Sequence, residues 1–384
     1  MLEPILPHQA FRKSLRGERA TIPNLYDLFP EWTPRFHPDM QKARDEVLDP
    51  WLKRWVDEPQ TRAKLQAANF TIFAAIICAD ASYEKLCTVA KYFAWYFVWD
   101  DQFDCGSLTN DAQSRAEYQQ KSKDYFEHAL LKKGSPPDLS SFTNGQQMAL
   151  QCWDEVGEHI SECCSMDSDL VDDDRIDARE ILLQTMLPFV ESVDTVDSIY
   201  VHDSVPSVAQ YWQRRDLTAA VYPLYPWHQH SREKLARFRP SKSLEAYILH
   251  CAHVSSLRLL QLEASDKGLS YDSTNDMLSM PKEAKDGQIE GLVPILMMNY
   301  GLYCATAMEW SFQLAQVEVR GIRAIENGQL EDPEKCDKVG ELLKDVFING
   351  CKDVAMGLIH WSYHGERYFR NQEIRADYTI EFEI

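Results

Sequence analysis

Several things that whole classes of protein require are scarce in this chain. Glycine is sparse, 15 residues in 384, which disfavours a turn-rich β architecture, and no strand-like alternation of useful length appears. No apolar run approaches the roughly 18 residues needed to span a bilayer. The ten cysteines include no CxxC pair and no Cys/His zinc spacing. Cys163 and Cys164 are adjacent, a poor start for a disulfide framework, so all ten are expected to be reduced and mostly buried. Positive charge is in deficit, with a formal net charge of -20. So acidic a surface excludes a nucleic-acid partner, because phosphate backbones require basic patches. An anionic ligand would have to be held by local Arg, Lys or metal. The opening segment lacks a secretory pattern, and a cytoplasmic protein with no membrane span is expected.

What is present in quantity is helical pattern. Residues 1–38 are rich in proline and weakly periodic, and are expected to form an irregular strap pinned by Leu25, Phe29, Trp32 and Phe36. From Met40 onward apolar residues recur at helical spacing. The pattern predicts helices at about 60–79, 82–100, 111–132, 141–163, 175–192, 205–218, 242–265, 275–286, 288–300, 302–327, 334–350 and 352–371. No repeat of 20–50 residues is visible. The expected fold is all-α, with residues 39–371 as one helical domain packed around a shared interior and 372–384 as a polar tail. Pro223, Pro226 and the run to Pro240 predict an exposed loop.

The helix predicted to end near Asp100 organises the rest. The stretch from Tyr92 to Trp99 is dense in aromatics and runs directly into Asp100-Asp101-Gln102-Phe103-Asp104. Asp100 and Asp104 lie one turn apart on one helix face, with Phe93, Tyr96 and Phe97 below them. Two carboxylates held that close repel unless a cation lies between them, and a hard oxygen-seeking ion such as Mg2+ suits them. Asp101 points about 100° away, toward a neighbour or an Arg. Trp95 and Trp99 lie on other faces and read as packing. A second acidic cluster, Asp169 to Asp174, has no aromatic run leading into it and reads as surface.

A second constellation lies far downstream. Asn275, Ser279 and Glu283, spaced i, i+4, i+8, put an amide oxygen, a hydroxyl and a carboxylate on one helix face, a donor set fit for Mg2+ once phosphate oxygens complete it. Pro281 within that helix removes an amide donor and predicts a kink.

Together these stretches resemble the class I terpene synthases, of the fungal sesquiterpene cyclase type. Asp100–Asp104 resembles the family's aspartate-rich motif, and Asn275-Asp276-…-Ser279-…-Lys282-Glu283 its NSE motif. Arg367-Tyr368 resembles its C-terminal RY pair, and Tyr211-Trp212-Gln213-Arg214-Arg215-Asp216 the segment carrying a diphosphate-sensing arginine. The resemblance spans residues 40–371. It implies a helical bundle around a central active-site cavity, an isoprenyl diphosphate substrate, most simply farnesyl diphosphate, and three Mg2+ ions held with the diphosphate. It further implies metal ligation by Asp100, Asp104, Asn275, Ser279 and Glu283, and diphosphate contacts from Arg215, Lys282, Arg367 and Tyr368. Arg214 and Arg232 are rivals to Arg215. Phe93, Tyr96, Phe97 and Trp361 are the rings expected to face the carbocation. A homodimer is compatible with this reading. Competing readings are a cyclase of geranyl or geranylgeranyl diphosphate, a chain-elongating prenyltransferase, and a non-catalytic helical relative that binds diphosphate.

Overall fold

A computed structural model of the protein describes residues 7–104, 111–166, 178–193, 205–218, 274–324 and 338–384, with Leu108 and Glu326. Over these residues the chain is predominantly helical, with one two-stranded sheet. The predicted acidic cluster at 169–174, the loop at 223–240, the helix at 242–265 and Arg232 all lie outside the described residues.

Helix formation follows the sequence with informative exceptions. Helix α1 (Pro7–Ser14) and strand β1 (Arg19–Ile22) fall within the segment expected to be irregular, followed by a 3-10 turn at Leu25–Leu28. Helix α2 (Met40–Ala43) passes through a π turn at Arg44–Leu48 into α3 (Asp49–Trp55). The single helix expected at 60–79 is two, α4 (Pro59–Ala68) and α5 (Thr71–Ile77). Asn69 between them is left-handed, φ 48°, and its side-chain oxygen accepts a hydrogen bond from the Thr71 hydroxyl at 2.6 Å. Asparagine tolerates that conformation through such local bonds.

Helix α6 (Tyr83–Asp104) is uninterrupted, as its lack of Gly and Pro dictates. Helices α7 (Ala112–Leu131), α8 (Asn144–Gln151), α9 (Trp153–Met166) and α10 (Ala178–Ser192) pack around it and one another. The run expected at 141–163 is divided at Cys152, and its first half starts at a capping box between Thr143 and Gln146. Trp95 and Trp99 are fully buried in this layer. Their indole N–H groups donate to the Ala149 carbonyl at 2.8 Å and to Ser122 Oγ at 3.0 Å, as packing residues should.

The second half comprises α11 (Val208–Thr218), α12 (Thr274–Asp286), α13 (Leu292–Tyr300), α14 (Cys304–Ala324) and α15 (Lys338–His364). Two helices were expected where α15 runs unbroken. Its apolar stripe continues through Cys351, and Gly357 lets it lie close against Phe73 and Ile76 of α5.

The termini close on each other. Strand β2 (Ile380–Glu383), within the expected polar tail, pairs antiparallel with β1, Ile22 opposite Ile380 and Arg19 opposite Glu383. Leu25 and Phe29 are buried as expected, and Trp32 donates to Asp353 at 3.1 Å. Phe36 is 39% exposed, with its ring 5.5 Å from that of His360. The Tyr363 hydroxyl receives the Leu25 amide at 3.2 Å. Among the described residues Cys78, Cys87, Cys152, Cys304 and Cys351 are buried thiols, and no helix is long and apolar enough to cross a membrane.

Candidate active site

The C-terminal half of α6 carries one wall. Phe93 and Phe97, one turn apart, meet edge to face at 5.6 Å. Phe93 packs on Phe73 at 4.4 Å, and Phe97 stacks on Phe70 at 5.1 Å. Trp361 of α15 approaches both, at 5.2 and 5.5 Å. Trp361 is fully buried and its indole N–H donates to the Ala68 carbonyl at 2.7 Å, so this ring is fixed at its polar end. Tyr96 meets Phe97 edge to face at 5.3 Å and extends the stack to Phe189 of α10 at 4.8 Å.

Above the stack, Arg367 lies with its guanidinium 4.5 Å from the centre of the Phe97 ring and 3.5 Å from Asp101 Oδ1. The sequence directed Asp101 away from the Asp100 face, toward a neighbour or an Arg, and in the structure it pairs with Arg367. Burial works against the Arg367 charge, but Asp101, Tyr368 and Asp100 outweigh it and hold the guanidinium above its ordinary pKa. The Asp104 side chain lies outside the described residues.

The facing wall is built where α11, α12 and α13 meet. Arg215 Nη2 donates to Asn275 Oδ1 at 2.7 Å and is 2.8 Å from Asp276 Oδ1. Asn275 Nδ2 in turn donates to the Tyr368 hydroxyl at 3.1 Å. Residues 60 and 93 positions apart in sequence thus form one bonded chain. Arg214, the rival, faces away and donates to the Glu290 carbonyl at 2.7 Å. Lys282 is not drawn into the chain: it is 36% exposed and its ammonium lies 3.9 Å from Asp286.

Asp276 is the residue whose role the sequence did not disclose. It is 3% exposed, and it accepts hydrogen bonds from the Tyr211 hydroxyl and the Leu292 amide as well as pairing with Arg215. A buried carboxylate must be satisfied in this way. Adjacent to Asn275, it points about 100° around the helix, which was the available signal. Gly291 sits between two carboxylates, since a Cβ there would lie 3.3 Å from both Asp276 Oδ2 and Glu283 Oε2. Helix α12 runs through Pro281 as one element, and Glu283 reaches this cluster.

The donor set tests whether a cation fits. Ser279 Oγ is buried and has no hydrogen-bond partner among the described residues. Burial and then the Asp276 carboxylate push Glu283 above the usual carboxylate range, against the pull of Arg215 and of the neighbouring Ser279 hydroxyl. The amide oxygen of Asn275, the buried hydroxyl of Ser279 and the carboxylate of Glu283 on one helix face are a donor set that suits a hard cation.

Residues 91–320, well over half of the chain and including Phe93, Phe97, Asp101, Arg215 and the Asn275–Glu283 face, match the model of terpene synthase family 2, C-terminal metal binding. The chain belongs to this family. The terpene cyclase braA of Annulohypoxylon truncatum is 21% identical over 99% of this chain and 94% of its own length. The sesquiterpene cyclase hepA of Aspergillus oryzae is 22% identical over 98% and 97%. Among solved structures, a linalool/nerolidol synthase from Streptomyces clavuligerus in complex with 2-fluorogeranyl diphosphate superposes with a TM-score of 0.62 at 17% identity, over 85% of this chain and 100% of that one. This terpene synthase is thus of the fungal class I kind, all-α, and a divalent-metal protein by its family.

Proposed function

We propose that the protein ionises farnesyl diphosphate in the presence of Mg2+ and cyclises the cation to a sesquiterpene hydrocarbon or alcohol, releasing diphosphate. The bonded chain Arg215–Asn275–Tyr368, with Arg367 on Asp101 beside it, carries this reading, because it gathers anion-binding and metal-donor groups from three helices and the C-terminal turn. Asp100, Asp104, Asn275, Ser279 and Glu283 would hold three ions together with the substrate. When bound, the metal supplies Lewis acidity toward the diphosphate oxygens.

The chain's own groups do the rest. Arg215, Arg367, Lys282 and the Tyr368 hydroxyl donate hydrogen bonds that strengthen as charge develops on the departing diphosphate. Asp276 keeps Arg215 turned toward Asn275. Phe93 and Phe97 offer ring faces to the hydrocarbon cation, each worth about 0.5–2 kcal/mol by cation–π attraction, while the surrounding rings exclude water. The fifteen-carbon chain length is supported by the relative hepA, a sesquiterpene cyclase. Gas chromatography with mass spectrometry of products from geranyl, farnesyl and geranylgeranyl diphosphate tests it. Dominant fifteen-carbon products are expected; a dominant ten- or twenty-carbon product overturns the assignment.

A further inference from the structure

The pair Arg367-Tyr368 follows the end of α15, and a helix end does not by itself aim the residues beyond it. Something else must fix the turn, and the structure places that support 293 residues away in sequence. The last carbonyls of an α-helix have no partner within the helix. At the C-terminus of α4 all three final carbonyls are taken. Gln66 receives Arg44 Nη2 at 3.3 Å and the Asn69 amide at 3.3 Å. Ala67 receives the Glu366 amide at 3.1 Å, and Ala68 receives the Trp361 indole at 2.7 Å. Two of the three are thus bound by residues that flank Gly365. The turn is tightened from within by the Gly365 amide on the Trp361 carbonyl at 2.6 Å and the Arg367 amide on the Gly365 carbonyl at 2.7 Å.

Gly365 itself shows how close the approach is. Its φ is not in the left-handed region, so conformation does not demand glycine there. Space does: a Cβ would lie 2.2 Å from the Ala68 carbonyl oxygen and 2.9 Å from Trp361 Nε1. The obstacle is backbone at the end of a helix whose successor, α5, is wholly buried, so it cannot yield cheaply.

We propose that the C-terminus of α4 is the seat that positions Arg367 and Tyr368, with Gly365 and the Trp361 indole N–H as positioning residues for diphosphate binding. The inference rests on the proposed function, in which Arg367 and Tyr368 meet the diphosphate. It assigns Trp361 a task separate from any contact with the hydrocarbon. Displacement of the turn moves Arg367 off Asp101 and Phe97 and Tyr368 off Asn275, at the far end of the bonded chain.

The test is calorimetric titration of the full-length protein with inorganic diphosphate in excess Mg2+, beside thermal melts. Gly365→Ala should raise the diphosphate dissociation constant about tenfold or more, as a displacement near 1 Å of binding groups does. Trp361→Phe keeps the ring and the stacking but removes the donor to Ala68, and should weaken binding in the same direction, so the test survives a failure of the alanine variant to fold. Gly357→Ala crowds the same helix against Phe73 and Ile76 side chains at 3.1–3.2 Å, and should lower the melting temperature without changing the dissociation constant. If Arg367→Gln weakens diphosphate while Gly365→Ala and Trp361→Phe stay within about twofold of wild type, the α4 seat is refuted and the site reading stands. Equal weakening by Gly357→Ala refutes it too, because general crowding would then suffice. If Arg367→Gln itself has no effect, the site reading fails and the inference with it.

Discussion

A guanidinium 4.5 Å from its ring centre already makes Phe97 a cation-binding ring, and that gives the single-residue tests their sharpest form. Phe97→Leu keeps most of the volume but removes the quadrupole. Its expected result is a loss of about 1 kcal/mol in stability together with a product mixture shifted toward acyclic or early-quenched compounds. A lowered melting temperature with an unchanged mixture assigns the ring to the core. Asp276 poses a different question. Removing one partner of a buried, hydrogen-bonded charge pair costs about 3–5 kcal/mol, so Asp276→Leu should cost that much in urea unfolding, since Arg215 loses its ion-pair carboxylate and the Tyr211 hydroxyl and Leu292 amide lose the acceptor Asp276 gives them. A loss below about 1 kcal/mol would be that of an exposed pair and would contradict the burial. The oxygen-bearing residues on the Asn275 face were legible because spacing fixes a helix face. Asp276 was not, because its partners come from two other helices.

At the scale of elements, periodicity located most helices to within a few residues and misjudged their breaks. Asn69, the Cys152 turn and the unbroken α15 each depend on a local bond or a close packing contact that no apolar pattern encodes. The clasp between the N-terminal segment and α15 was only half visible: the apolar pins could be named, but not the groups that join them. There the Tyr26 hydroxyl lies 2.8 Å from His360 Nδ1, with the His364 ring tilted beside it at 4.2 Å. Burial, and then His364, hold His360 down to about 3, against about 6.5 in an unfolded chain. Between those values the unfolded state binds the additional proton, so this contribution to stability is intact above pH 6.5 and is lost as pH falls toward 3. Melting temperatures measured from pH 7 to pH 4.5 should therefore fall less steeply for His360→Gln than for the wild type. Identical slopes would show that the imidazole does not couple to folding.

For the whole molecule, the fold brings together four segments, near residues 100, 215, 275 and 367, whose chemistry is idle when they are apart. All four could be named in advance through a family resemblance. The hydrogen bonds that join them, and the α4 carbonyls beneath Arg367-Tyr368, required the structure, since each links residues 60 or more apart. The central claim is that this assembly ionises a fifteen-carbon diphosphate with the help of a divalent cation. Extraction and gas chromatography after incubation with farnesyl diphosphate, in Mg2+ and in excess chelator, tests it most directly. The account predicts a sesquiterpene with Mg2+, none with chelator, and recovery when Mg2+ is restored; products formed in chelator, or none under either condition, would contradict it.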